Sequence, residues 1–115
     1  MTTIRRGTSG DIDRLAEIQA AALRNRDVDH RGISDDVAAT TDISEWVDRE
    51  EPRVIVAEDR RTIRGWGVIF LVGTTLGAVF VDPETADAEI RQRLLSRLER
   101  ITEDAGISQV RLVVY

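Results

Sequence analysis

Residues 53 to 81 constrain the fold of this chain more than any other stretch. Arg53-Val54-Ile55-Val56-Ala57-Glu58 is an unbroken, β-branched run, and a strand without polar alternation has to be covered on both faces. Asp59-Arg60-Arg61-Thr62 reads as a hairpin loop. Ile63 to Val72 forms the next strand, with Gly65 and Gly67 in its interior, where a bulge or a close backbone approach is expected. Gly73-Thr74-Thr75 turns the chain again, Leu76 to Val81 makes a third central strand, and Asp82-Pro83-Glu84 ends it. A sheet that must be buried on both sides needs helices on both sides.

The flanking segments supply them. Thr2 to Arg6 alternates Thr3 and Arg5 with Ile4 and Arg6, a short first strand. Gly7-Thr8-Ser9-Gly10-Asp11 is a turn with a helix N-cap, and Ile12, Leu15, Ile18, Ala22 and Leu23 then recur at helical spacing to about Arg24. Ser34-Asp35-Asp36 is a further N-cap signal, and Asp42 to Val47 reads as a short second helix that ends before Pro52. Downstream, Ile90, Leu94, Leu95, Leu98 and Ile101 share one helical face, with Arg91, Arg93, Arg97 and Arg100 interleaved with Glu89, Glu99 and Glu103 elsewhere. Gly106 is placed to stop this helix, and Val110 to Tyr115 closes the chain as a strand. The expected fold is α/β: one domain over residues 1–115, with a mixed twisted sheet, element order β-α-α-β-β-β-α-β and helices on both faces.

Composition narrows the function classes. Sixteen basic residues against 21 acidic ones leave a net charge of −5, which argues against a nucleic-acid or anionic-membrane partner. There is no cysteine, so thiolate nucleophiles and zinc-thiolate sites are excluded. The sequence has neither a signal-peptide pattern nor a long apolar span, and a soluble, cytoplasmic protein is expected. Every basic residue is arginine and lysine is missing altogether, which removes the usual Schiff-base nucleophile. Acid excess without lysine also fits a halophilic source. On that reading, multimolar salt leaves the midpoint of unfolding unchanged or raises it, and a large drop contradicts it.

The order of elements and several local phrases resemble the GNAT superfamily of N-acetyltransferases. Ile4-Arg5-Arg6-Gly7-Thr8-Ser9-Gly10-Asp11 is similar to that family's first strand and entry to its first helix. Val56-Ala57-Glu58-Asp59 with Ile63-Arg64-Gly65-Trp66-Gly67 is similar to its central hairpin. Ala78-Val79-Phe80-Val81-Asp82-Pro83-Glu84 is similar to the strand and turn that precede its cofactor loop. The resemblance implies acetyl transfer from acetyl-CoA to an amine on a small molecule or a protein. It also implies that the backbone around Phe80 and Val81 holds the pantetheine arm, and that Ala86, Asp87, Ala88, Glu89, Ile90 and Arg91 surround the pyrophosphate.

Two departures from the family pattern bear on that activity. The family loop Q/R-x-x-G-x-G/A cradles a diphosphate with backbone N–H groups at a helix N-terminus. Here the loop is Thr85-Ala86-Asp87-Ala88-Glu89-Ile90-Arg91, without glycine and with two carboxylates. Side chains at glycine positions obstruct the approach of backbone to phosphate, and the carboxylates repel it. Asp87 and Glu89 equally fit a helix start that complements its own dipole. The family also continues past the closing strand with a helix and hairpin, the helix often bearing a tyrosine as general acid, whereas this sequence stops at Tyr115, which is expected to be a strand residue. A Val- and Leu-rich edge at that end suggests homodimerisation through the C-terminal strand, an expectation that a purely monomeric mass at high concentration contradicts.

The remaining candidates are sparse. His30, in Asp27-Val28-Asp29-His30 with Asp35 and Asp36 nearby, has the chemistry of a general base or an oxygen-rich metal ligand, but its spacing matches no metal loop and solvated loop charges are the simpler reading. Glu58, at the end of a central strand, is a candidate base acting through water. Trp46 and Trp66 are expected to anchor the core. Two functions follow: a degenerate acetyltransferase-fold protein with weak or no acetyl-CoA binding, serving as an interaction or sensing module, or an active acetyl-CoA-dependent N-acetyltransferase.

Overall fold

The structure is a computed structural model that describes residues 2–24, 43–47, 49–72, 75–85 and 88–115. Five strands, β1 (Thr2–Arg6), β2 (Arg53–Asp59), β3 (Thr62–Phe70), β4 (Leu76–Val81) and β5 (Arg111–Val114), form one sheet in the order β1-β2-β3-β4-β5. The first four are antiparallel neighbours, and β5 lies parallel to β4. Helix α1 (Ile12–Arg24) and the one-turn α2 (Ile43–Trp46) pack on one face, and α3 (Ala88–Asp104) covers the other. The expected mixed sheet with helices on both faces is the observed one.

Strand alternation divides the core between the two faces. Toward α1, Val54, Val56, Trp66, Val68 and Phe80 pack against Leu15, Ile18 and Ala22. Toward α3, Ile55, Ala57, Ile69, Val79 and Val81 meet Ile90, Leu94, Leu98 and Ile101. Trp66 is fully buried, donates its indole N–H to the Leu15 carbonyl at 3.0 Å and stacks on Phe80 with ring centroids 4.8 Å apart. Trp46 meets Phe70 edge-on at 5.1 Å. Trp66 is therefore a core anchor, as expected, while Trp46 packs half-buried against the same core.

Both readings of the β3 glycines hold. The β2–β3 register shifts between Ala57 and Glu58, so that Ala57 faces Gly65, Glu58 faces Ile63, and Arg64 is the extra residue of a bulge. An added Cβ on Gly65 would sit 3.0 Å from Leu94 Cδ1 and 3.1 Å from the Phe80 carbonyl oxygen. This close contact is what lets α3 settle directly on the middle of the sheet.

Several boundaries differ from the sequence reading, each for a local reason. The first helix begins as a 3-10 turn over Ser9–Asp11, because Asp11 accepts from both the N–H and the hydroxyl of Thr8, at 2.9 and 3.1 Å. β3 stops at Phe70 rather than Val72, since the Leu71 and Val72 N–H groups donate to the Glu51 carboxylate, at 2.9 and 3.4 Å, instead of to a strand. The closing strand is Arg111–Val114. Tyr115 lies just past it, although its N–H still donates to the Val79 carbonyl at 2.8 Å and its ring stacks on Phe80 at 4.7 Å. Gly106 does end α3, with φ of +77°. Ser34-Asp35-Asp36 lies outside the described residues.

The β2–β3 hairpin closes through two residues, Arg60 and Arg61, with φ of 52° and 66°. Positive φ at both central positions is the type I′ arrangement that suits Asn-Gly, and left-handed backbone costs an ordinary residue about 1–2 kcal/mol. Replacing the pair by Asn-Gly (Arg60→Asn, Arg61→Gly) is expected to stabilise the protein by about 1–2 kcal/mol, measured by chemical denaturation. An unchanged or lower stability contradicts the turn assignment.

Candidate functional site

β2 and β4 run in the same direction, so their C-terminal ends, with the start of α3, gather the sequence's candidate residues at one end of the sheet. β4 pairs with β5 only from Leu76 to Val79, which leaves Phe80 and Val81 beyond the last β4–β5 pair. Both side chains are buried, Phe80 toward α1 between Trp66 and Tyr115, and Val81 toward α3. What this segment offers to a ligand is therefore its backbone edge.

The turn after β4 is held by Asp82, a buried carboxylate. It accepts from the Glu84 N–H and the Thr85 hydroxyl, each at 3.0 Å, and from Arg14 Nη2 at 2.8 Å. Arg14 reaches across from α1 and also donates from Nε to the Ile63 carbonyl at 3.0 Å. One arginine thus ties α1, the start of β3 and the end of β4 together. Burial pushes the Asp82 carboxyl up, but the Glu84 N–H, the Arg14 guanidinium and the Thr85 hydroxyl outweigh it, and the group titrates below the usual aspartate value.

Glu58 has a partner of its own. Arg5 forms a two-pronged pair with Asp11, at 2.8 and 3.0 Å, and its Nη2 also reaches Glu58 Oε2 at 3.0 Å. The Arg5 hydrogen bonds lower the Asp11 carboxyl against the opposing effect of burial, and the Thr8 donors lower it further. Glu58 is thereby a neighbour in a structural ion cluster that joins β1, the 3-10 turn and β2.

At the start of α3, Ala88 and Glu89 are exposed and Ile90 is buried. Glu89 Oε1 pairs with Arg93 Nε at 3.1 Å, one helical turn on. The first turn of the helix therefore already carries a carboxylate that complements its dipole. Arg91 is exposed. Ala86, Asp87 and His30 lie outside the described residues, and among the described residues no three histidine or acidic side chains gather as a metal site. No described helix is long and apolar enough to cross a membrane.

Arg5 and Arg14 escaped the sequence reading. Arg5 pairs with Asp11 only six residues on, but its second partner Glu58 is 53 residues away and Arg14's partner Asp82 is 68 away, so only the assembled sheet brings those together. The sole local hint is Arg14 itself, a cation beside Leu15 on the buried flank of an amphipathic helix.

No family model matches the sequence, and neither does any curated protein. Solved structures do match in shape. The PaiA N-acetyltransferase of Thermoplasma acidophilum, in complex with coenzyme A, aligns over 97% of this chain and 78% of its own with a TM-score of 0.80 and 16% identity. A predicted acetyltransferase of Clostridium acetobutylicum, with acetyl-CoA, aligns over 98% of this chain and 80% of its own, TM-score 0.69, again at 16% identity. A GNAT-family acetyltransferase of Bacillus cereus aligns over 85% of this chain and 62% of its own, TM-score 0.62, at 17% identity. The chain has the GNAT acetyltransferase fold and spans about four-fifths of the first two of these proteins.

Asp11 and Asp82 both titrate below their ordinary value of 3.8. The unfolded chain therefore takes up protons first as pH falls, and the stability these groups contribute is present above about pH 4 and lost as pH drops through their folded values. Asp82→Asn is expected to flatten the stability–pH curve between about pH 5 and 3 and to destabilise the protein at neutral pH by about 1–3 kcal/mol, as its hydrogen-bonded partners lose an ionised acceptor. A neutral-pH stability equal to wild type would show that the Arg14–Asp82 link contributes nothing.

Proposed function

We propose that this protein is a degenerate member of the acetyltransferase fold that binds acetyl-CoA weakly or not at all and serves as an interaction or sensing module. The observation that carries this reading is the turn into α3. A diphosphate cradle needs backbone N–H groups free of obstructing Cβ atoms and a helix start open to an anion. Residues 85–91 contain no glycine, and the first turn of α3 already holds the Glu89 carboxylate, paired with Arg93. These residues do not fit the pyrophosphate. Among the described residues, two carboxylates at this end of the sheet are already engaged, Glu58 by Arg5 and Asp82 by Arg14.

The second reading is an active acetyl-CoA-dependent N-acetyltransferase acting on a small amine or a protein amine. Two observations favour it: the likeness in shape to structures that contain coenzyme A or acetyl-CoA, and the Glu89–Arg93 pair, which offsets part of the loop's negative charge.

Isothermal titration with acetyl-CoA separates the two. The wild-type protein is expected to give no binding in the micromolar range, at low or at multimolar salt. The triple variant Asp87→Gly, Glu89→Gly, Arg91→Gly is expected to create or strengthen binding, because it removes both the side chains and the repelling charges. Micromolar binding by the wild type overturns the degenerate reading and calls for a screen of amine acceptors. No gain in the variant would mean that the site is lost for reasons beyond this loop.

A further inference from the structure

β1 is a terminal strand of the sheet, and among the described residues no strand pairs with its outer edge. The Gly7 N–H donates to the Val54 carbonyl at 3.0 Å, which sets the alternation along β1. Thr3, Arg5 and Gly7 turn their backbone groups to β2, and Thr2, Ile4 and Arg6 turn theirs outward. Two outward carbonyls already accept from arginines, Thr2 from Arg93 Nη1 at 3.2 Å and Arg6 from Arg5 Nη1 at 3.0 Å. Between them, Ile4 presents both an N–H and a carbonyl to the open edge.

Beside this edge runs a groove of about 260 Å³, lined by Ile4, Gln92, Arg93, Ser96, Arg97 and Arg100. Arg93 is paired with Glu89, while Arg97 and Arg100 are exposed and have no ion-pair partner among the described residues. A chain of net charge −5 thus concentrates three guanidiniums along one side of an unpaired strand. Four residues of helix, Arg93 to Arg97, rise about 6 Å and three, Arg97 to Arg100, about 4.5 Å, both within reach of long side chains facing strand positions about 6.8 Å apart.

We propose that this edge receives an extended acidic peptide, which adds a strand to β1 and lays Asp or Glu side chains, at alternate positions, over Arg93, Arg97 and Arg100. The Ile4 N–H and carbonyl supply main-chain pairing, and the arginine row supplies selectivity. A second copy of β1 is a poor occupant, because it brings the same row of positive charge. A nucleic acid makes no use of the strand edge and meets an acidic protein overall. The proposal gives the interaction reading above a partner class, and its readout is separate from coenzyme binding.

The test uses a short synthetic peptide with Asp at every second position and Val or Thr between, followed by fluorescence anisotropy and by amide hydrogen exchange of the whole protein. Micromolar binding, with slowed exchange at Ile4, is expected. Arg97→Glu with Arg100→Glu should weaken it by about tenfold or more, and both residues are exposed. If that variant fails to fold, Arg97→Gln with Arg100→Gln serves the same comparison. Equal binding of an isomer with its Asp residues in one block, or of single-stranded DNA of the same charge, would reduce the surface to a general anion patch and overturn the proposal. So would peptide binding that leaves exchange in β1 unchanged, or no binding at all. Failure here leaves the acetyl-CoA titration untouched, and micromolar acetyl-CoA binding leaves this result untouched.

Discussion

Everything in this fold depends on three adjacent strands that expose apolar side chains in both directions. β2, β3 and β4 bury Val56, Trp66, Val68 and Phe80 toward α1 and Ile55, Ala57, Ile69 and Val79 toward α3. Such a sheet gains stability only when both faces leave water together. The glycines of β3 decide how closely that happens, since Leu94 and Leu98 descend onto positions that carry no Cβ. Trp66 performs the matching task on the other face, filling the space under α1 and satisfying its indole N–H on the Leu15 carbonyl.

The ion pairs are arranged around this core and fix the parts that hydrophobic packing leaves free. Arg14 holds the end of β4 to α1 through Asp82, and Arg5 holds β1 to the 3-10 turn and to Glu58. Their effect on function is to spend carboxylates. Glu58, which its place at a strand end makes a candidate base, is engaged in positioning β1 and β2. The acetyltransferase-fold shape rests on the core, to which the described residues of the turn into α3 are tied by the buried Ile90 and by the Thr85 hydroxyl on Asp82.

That division explains what the sequence makes legible. The central strands are readable because their apolar runs are continuous and bounded by turn residues, and α3 because its apolar residues keep one face. The end of β3 is not readable, since Glu51, from outside the strand, takes the Leu71 and Val72 N–H groups. The hairpin at Asp59-Arg60-Arg61-Thr62 is readable, but the positive φ of Arg60 and Arg61 is not, because neither is a residue that favours left-handed backbone. Around the candidate site, Thr85 to Arg91 can be judged from composition, because glycine and charge act locally. The commitments of Glu58 and Asp82 cannot, because their arginines come from β1 and α1.

The most direct test of the account is a backbone NMR titration with acetyl-CoA, following the amides of Phe80, Val81, Ala88, Glu89 and Ile90. No site-specific, saturable shifts are expected at these positions. Saturable shifts of the Ala88–Ile90 amides, together with those of Phe80 and Val81, would mean that coenzyme sits against β4 and the start of α3 despite the side chains there, and would contradict it.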